Sequence, residues 1–141
     1  MSRRALRSVN AALGWVNLWC IVLTCVLLWP LFKRGYLLTR DAVSTPRSYI
    51  TPSALGIGDT TARAVPQDAF LAIVSQFMDG GLAVKILLFL ALILAGLGAA
   101  CLGWYFLFPG TRGQALAQGL VAATFAIWNP FVVERLLQGH W

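Results

Sequence analysis

Three stretches of the chain run without a single charged residue: Ala12–Phe32, Ile86–Phe108 and Ala115–Val133. A helix rises 1.5 Å per residue, so about 20 apolar residues cross a hydrocarbon core of about 30 Å. All eleven basic and five acidic residues fall outside these windows. That distribution follows from cost, since an Asp, Lys or Arg at mid-bilayer is unfavourable by roughly 2.5–3.5 kcal/mol. The pattern predicts an all-α integral membrane protein. It forms a single membrane domain over 1–141, with spans at about 12–32, 84–108 and 114–133 and an extramembrane loop over 33–82.

The loop divides in two. Lys33–Thr61 is turn-rich, with Pro46, Pro52 and Gly56-Ile57-Gly58 opposing long helices. Beyond it the spacing predicts one short amphipathic helix over about 66–79. Pro66 suits a first helical position, Asp68 complements the helix dipole, and Gly80-Gly81 is expected to end the helix. Phe70, Ile73, Val74 and Phe77 fall on one stripe. A cap packed on the bundle is the first expectation for this helix; lying in the membrane interface and touching a ligand are the alternatives. Between the second and third spans, Pro109-Gly110-Thr111-Arg112-Gly113 forces a tight antiparallel reversal. Ala95, Ala99 and Gly103 on one helix, and Ala115, Gly119 and Ala123 on the other, recur every four residues. Small residues at that spacing let membrane helices approach closely. The plainer reading is that Gly and Ala are simply common in such helices.

Composition sharpens this. Apolar residues make up 59% of the chain and charged residues 11%, about half the usual charged share, which excludes an ordinary water-soluble domain. Arg3, Arg4 and Arg7 precede the first span, as in a secretion signal, but no small-x-small cleavage site follows. We read a retained helix. The net charge of +6 suits anchoring to anionic headgroups, and no aromatic-basic interleaving supports nucleic-acid binding. Cys20, Cys25 and Cys101 lie inside spans and read as small core residues. Orientation is contested by the charges. Arg3, Arg4, Arg7 and Arg112 share one side; Lys33, Arg34, Arg40, Arg47, Arg63, Lys85 and Arg135 share the other. The positive-inside count would place the loop in the cytoplasm, although long loops are weak determinants.

Candidate chemistry gathers at the loop side. Asp41 follows the first span, and two crossings separate it from the closing run Trp128-Asn129-Pro130-Phe131-Val132-Val133-Glu134-Arg135-Leu136-Leu137-Gln138-Gly139-His140-Trp141. Parity therefore puts Asp41, Glu134, Arg135 and His140 on one membrane face. Asp41 could act as a base, or pair with Arg40 or Arg47. Pro130 cannot donate to the Ala126 carbonyl, so a kink or helix end is expected there. If a helix continues beyond it, Glu134 and Gln138 share a face. Arg135 suits a phosphate or carboxylate through its planar fork; headgroup contact or a pair with Glu134 is the plainer role. One His and no Cys outside the spans cannot build a zinc site. Ser44, Ser48 and Ser53 lack a nearby His, and no glycine loop cradles phosphate. The charge-free spans also argue against a proton relay built by this chain alone.

The closing run, with Leu38-Thr39-Arg40-Asp41 and Arg63-Ala64-Val65-Pro66-Gln67-Asp68-Ala69, resembles the amino-terminal part of actinobacterial multi-pass membrane proteins of the type-C, polyprenyl-phosphate-sugar-dependent glycosyltransferase class. The likeness spans most of the chain, and its last motif is the most specific. It implies transfer of a sugar from a polyprenyl-phosphate donor to a cell-envelope acceptor on the outer face of the cytoplasmic membrane. It also implies a cytoplasmic amino terminus and an extracytoplasmic first loop. Asp41 takes the place of the class's loop acid, a base or metal contact, while Arg40 and Arg135, with Glu134 and His140, would meet substrate. No cofactor is predicted: the class's divalent metal is not supported by an Asp-x-Asp pair, since Asp41 stands alone. Relatives continue through many more helices, so three spans are expected to be inactive without them. Expected partners are membrane lipid, a polyprenyl-phosphate sugar, and an additional membrane chain or a second copy. A non-enzymatic small membrane subunit that serves assembly is the other reading.

Overall fold

The computed structural model describes residues 3–32, 37–39, 42–57 and 65–138. In chain order these form helix α1 (Arg3–Leu27), a 3-10 turn (Trp29–Phe32), strands β1 (Leu37–Thr39) and β2 (Ala42–Ser44), and helices α2 (Val65–Val74), α3 (Gly80–Leu107), α4 (Arg112–Ile127) and α5 (Pro130–Gln138). Among the described residues two helices are long and apolar enough to cross a membrane, Arg7–Leu27 and Gly80–Leu107; a third crossing exists if Arg112–Ile127 and Pro130–Leu136, bent by 40°, count as one span. The chain is a helical membrane protein.

Each helix boundary has a local cause. α1 stops short of the expected limit at Phe32 because Pro30 lacks an N–H and its ring would strike the Val26 carbonyl. The chain tightens instead, with the Leu31 amide donating to the Leu28 carbonyl at 2.9 Å. α2 ends at Val74, short of the expected 79. Gly80-Gly81 do not terminate α2; they begin α3. Asp79 caps that start by accepting from the Leu82 amide at 2.9 Å, and the Gly80 amide donates to the Pro46 carbonyl at 2.8 Å. A Cβ on Gly80 would stand 2.6 Å from the Thr45 carbonyl oxygen, so only glycine fits. At the far end, Phe108 takes a left-handed conformation, φ 44°, and Thr111 with Gln114 forms a reciprocal capping box that opens α4.

α1, α3 and α4 form a three-helix bundle. Ala12, Val16, Cys20 and Leu23 of α1 meet Ala100 and Trp104 of α3 and Ala115, Ala123 and Ile127 of α4. The approach is close at two glycines. A Cβ on Gly119 would lie 2.7 Å from Val16 Cγ2 and 2.8 Å from the Trp104 ring; on Gly96 it would lie 2.6 Å from Ile127 Cδ1 and 2.8 Å from Cys20 Sγ. The expected α4 stripe, Ala115, Gly119 and Ala123, is buried. The α3 stripe is not the expected one: Ala95 is exposed, and the buried register is Leu88, Leu92, Gly96, Ala100 and Trp104. The reason is that α3 faces α1 and α4 together, so its inward line falls between the two neighbours. Gly103 still reaches α4, its Cβ position 3.7 Å from Ala122 Cβ.

Two features of the loop depart from expectation. β1 and β2 pair antiparallel, Leu37 with Ser44, Leu38 with Val43 and Thr39 with Ala42, a small ribbon in an otherwise helical chain. α2 also sits differently: Ala72 and Ser75 are buried, whereas Phe70, Ile73 and Phe77 of the expected packing stripe are exposed.

Candidate functional site at the loop-side membrane face

The end of α4 is set by Trp128-Asn129-Pro130. The Trp128 amide donates to the Thr124 carbonyl at 2.7 Å and closes that helix. Pro130, with its pre-set φ and no N–H to satisfy, starts α5. Asn129 is the cap of α5, its Oδ1 accepting from the Phe131 amide at 2.9 Å. The break expected at Asn129-Pro130 is present, and the Asn129 amide group is used as a helix cap rather than left seeking a partner in lipid.

α5, bent by 40° from α4, packs at the end of the bundle. Val132 and Leu136 pack into a second apolar cluster made by Leu28 at the close of α1 and by Val84, Leu88 and Leu92 at the start of α3, with Leu71 of α2 on the same cluster. Four elements thus converge at one end of the bundle, the end that carries the loop. Because Val132 and Leu136 face inward, Phe131, Glu134 and Arg135 are exposed. The Arg135 guanidinium carbon stands 4.9 Å above the Phe131 ring. Such a contact contributes roughly 0.5–1 kcal/mol at an exposed site and holds one guanidinium face against the ring. The guanidinium is a planar donor fork of the kind that grips phosphate.

Of the candidate residues, Glu134 and Arg135 are brought together on this outward face. Arg40, Asp41 and His140 lie outside the described residues. The strand that follows Asp41 is placed: β2 lies against α3, and Pro46, two residues beyond β2, bonds to the first residue of α3. Lys85 belongs to the same neighbourhood, next to the buried Val84. It is the one charged residue in Gly80–Leu107. Among the described residues no group of three or more His, Cys, Asp or Glu side chains could hold a metal ion.

No known family model matches this chain, and neither a curated protein nor a solved structure matches it.

Proposed function

We propose that this chain is the amino-terminal, three-span part of a polyprenyl-phosphate-sugar-dependent cell-envelope glycosyltransferase, with its amino terminus cytoplasmic and its loop outside. One observation supports this reading above the rest. α5 is seated by Val132 and Leu136 on the cluster that also holds Leu71 of the loop, with Glu134 and Arg135 exposed, and this reading puts both in the compartment that the loop occupies.

The chemistry divides between two segments. A carboxylate at Asp41 takes the proton from an acceptor hydroxyl as its oxygen bonds to the anomeric carbon. The bond from that carbon to the lipid phosphate oxygen breaks, and the departing phosphate gains charge that the Arg135 guanidinium stabilises. Arg40 and His140 contact substrate, and further helices complete the enclosure for lipid and acceptor. The test is radiolabelled glycolipid output from cells in which the chain carries Asp41→Asn. Lost output supports transfer; unchanged output removes the proposal.

A second reading, a non-enzymatic assembly subunit, draws on a different feature. Ala91, Ala95 and Gly98 are exposed along α3, a small-residue line that would admit a helix from another chain. Bulky substitutions there, such as Ala95→Leu, would dissociate a complex and leave Asp41→Asn without effect.

A further inference from the structure

The outward face of α2 is apolar, and its position is fixed. Phe70 and Ile73 of α2, and Phe77 in the turns that follow it, are 45%, 51% and 87% exposed, although their spacing of three and four puts them on one side of the helix and its continuation. The helix does not rotate to bury them because its opposite side is pinned. The Ser75 hydroxyl accepts from the Ser48 amide at 3.0 Å and donates to the Ser48 carbonyl at 3.0 Å, and Ser75 is itself buried. Leu71 anchors the same helix on the Leu28–Val84–Leu88–Leu92 cluster. A loop wholly in water would favour the reverse arrangement, with these three side chains inward.

The level of α2 along the bundle explains the arrangement. α3 has 28 residues and so runs about 42 Å, longer than a hydrocarbon core of about 30 Å. Its first turns therefore reach the headgroup layer, where Lys85 stands. Exposed aromatics mark the same level on the other helices: Trp29 just past α1 and Trp128 just past α4, residues typical of the membrane–water boundary. The exposed face of α2 also runs into the lipid-facing line of α3, since Phe77 is followed by the exposed Leu82, Ile86, Leu90 and Leu94.

We propose that α2 and the turn that follows it lie in the membrane interface, with Phe70, Ile73 and Phe77 inserted into the bilayer surface beside α3. The Ser48–Ser75 clamp then carries a second consequence. It ties the segment leaving β2 to a helix held by lipid, so the membrane keeps the first loop down against the bundle. This inference stands apart from the transferase reading, because it concerns what covers α2 whichever chemistry the chain performs.

The test uses the full chain in liposomes of phosphatidylethanolamine and phosphatidylglycerol. A benzophenone amino acid replaces Phe70 or Phe77, or Asp68 as the control, and adducts are identified by mass spectrometry after irradiation. These positions are exposed, so the probe does not disturb the packed bundle. Insertion predicts lipid adducts at 70 and 77 and none above background at 68, with a lower yield at 77 when Ser75→Ala releases the clamp. Adducts between two copies of the chain at 70 and 77 would show a protein-covered face and overturn the proposal. Yields at 70 and 77 no higher than at 68 would show a face in water and overturn it equally.

Discussion

The indole nitrogen of Trp104 donates to the Ala115 carbonyl at 2.7 Å, and this buried bond closes the hairpin of α3 and α4. Gly119 leaves room for the ring from the other side, its Cβ position only 2.8 Å from Trp104 Cζ2. The two contacts together fix how α4 descends toward the loop-side face, and hence where α5 begins. Gly119→Ala should therefore destabilise the bundle by about 1–3 kcal/mol, the usual range for overpacking. Gly98→Ala is the control, since a Cβ there meets nothing within 4 Å. Unfolding by denaturant in detergent micelles measures the difference, and equal midpoints for the two variants would refute the packing described.

A weaker effect is expected at Trp19, whose Nε1 donates to the Thr124 hydroxyl at 2.9 Å while that hydroxyl donates to the Leu120 carbonyl at 2.7 Å. Thr124→Val removes the partner and keeps the volume. Hydrogen bonds between membrane helices contribute about 0.6 kcal/mol on average, so the same unfolding assay should show a loss of that order. A double substitution with Trp19→Phe should cost less than the sum of the two single changes, because both delete the same Trp19–Thr124 bond.

The cap of α5 makes a local prediction. Asn129→Ala deletes the acceptor for the Phe131 amide and should weaken the helix start by about 1 kcal/mol. Hydrogen exchange would then speed up at Phe131 and its neighbours while α4 stays protected. Uniform acceleration along α4 would contradict two separately capped helices.

How far these arrangements could be read in advance depended on the range of the forces involved. The charge-free runs announce the spans because the bilayer penalises any charge within them, wherever the rest of the chain lies. Asn129-Pro130 announces a break for an equally local reason. Pro30 carried the same signal in the first span, where the long apolar run outweighed it. The inward line of α3 was not legible, because it depends on Cys20 and Ile127 arriving together at Gly96. Nor was the rotation of α2, which is set by Ser48, distant in sequence from the Ser75 it holds. The setting of Lys85 is equally non-local, since its buried neighbour Val84 meets Leu28, Leu71, Val132 and Leu136 from other elements.

If Arg135 steadies a departing phosphate, its removal should be felt in turnover rather than in assembly. Arg135→Gln is expected to lower glycolipid output roughly 100-fold or more, the scale seen when a transition-state charge partner is lost. Leu136→Asp should produce a similar loss by a different route, since it undocks α5 from Leu28 and Val84 without touching the guanidinium. Full output from either variant, at normal chain levels, would separate α5 from the chemistry.

The central claim is that the first loop and α5 open into one compartment, and sidedness measures it directly. Single cysteines at positions 41 and 135, in a background where Cys20, Cys25 and Cys101 are replaced, are treated in intact cells with a maleimide that cannot cross the membrane. Modification of both from outside is the predicted result. Modification of one position only from outside and the other only after the membrane is opened would contradict the account.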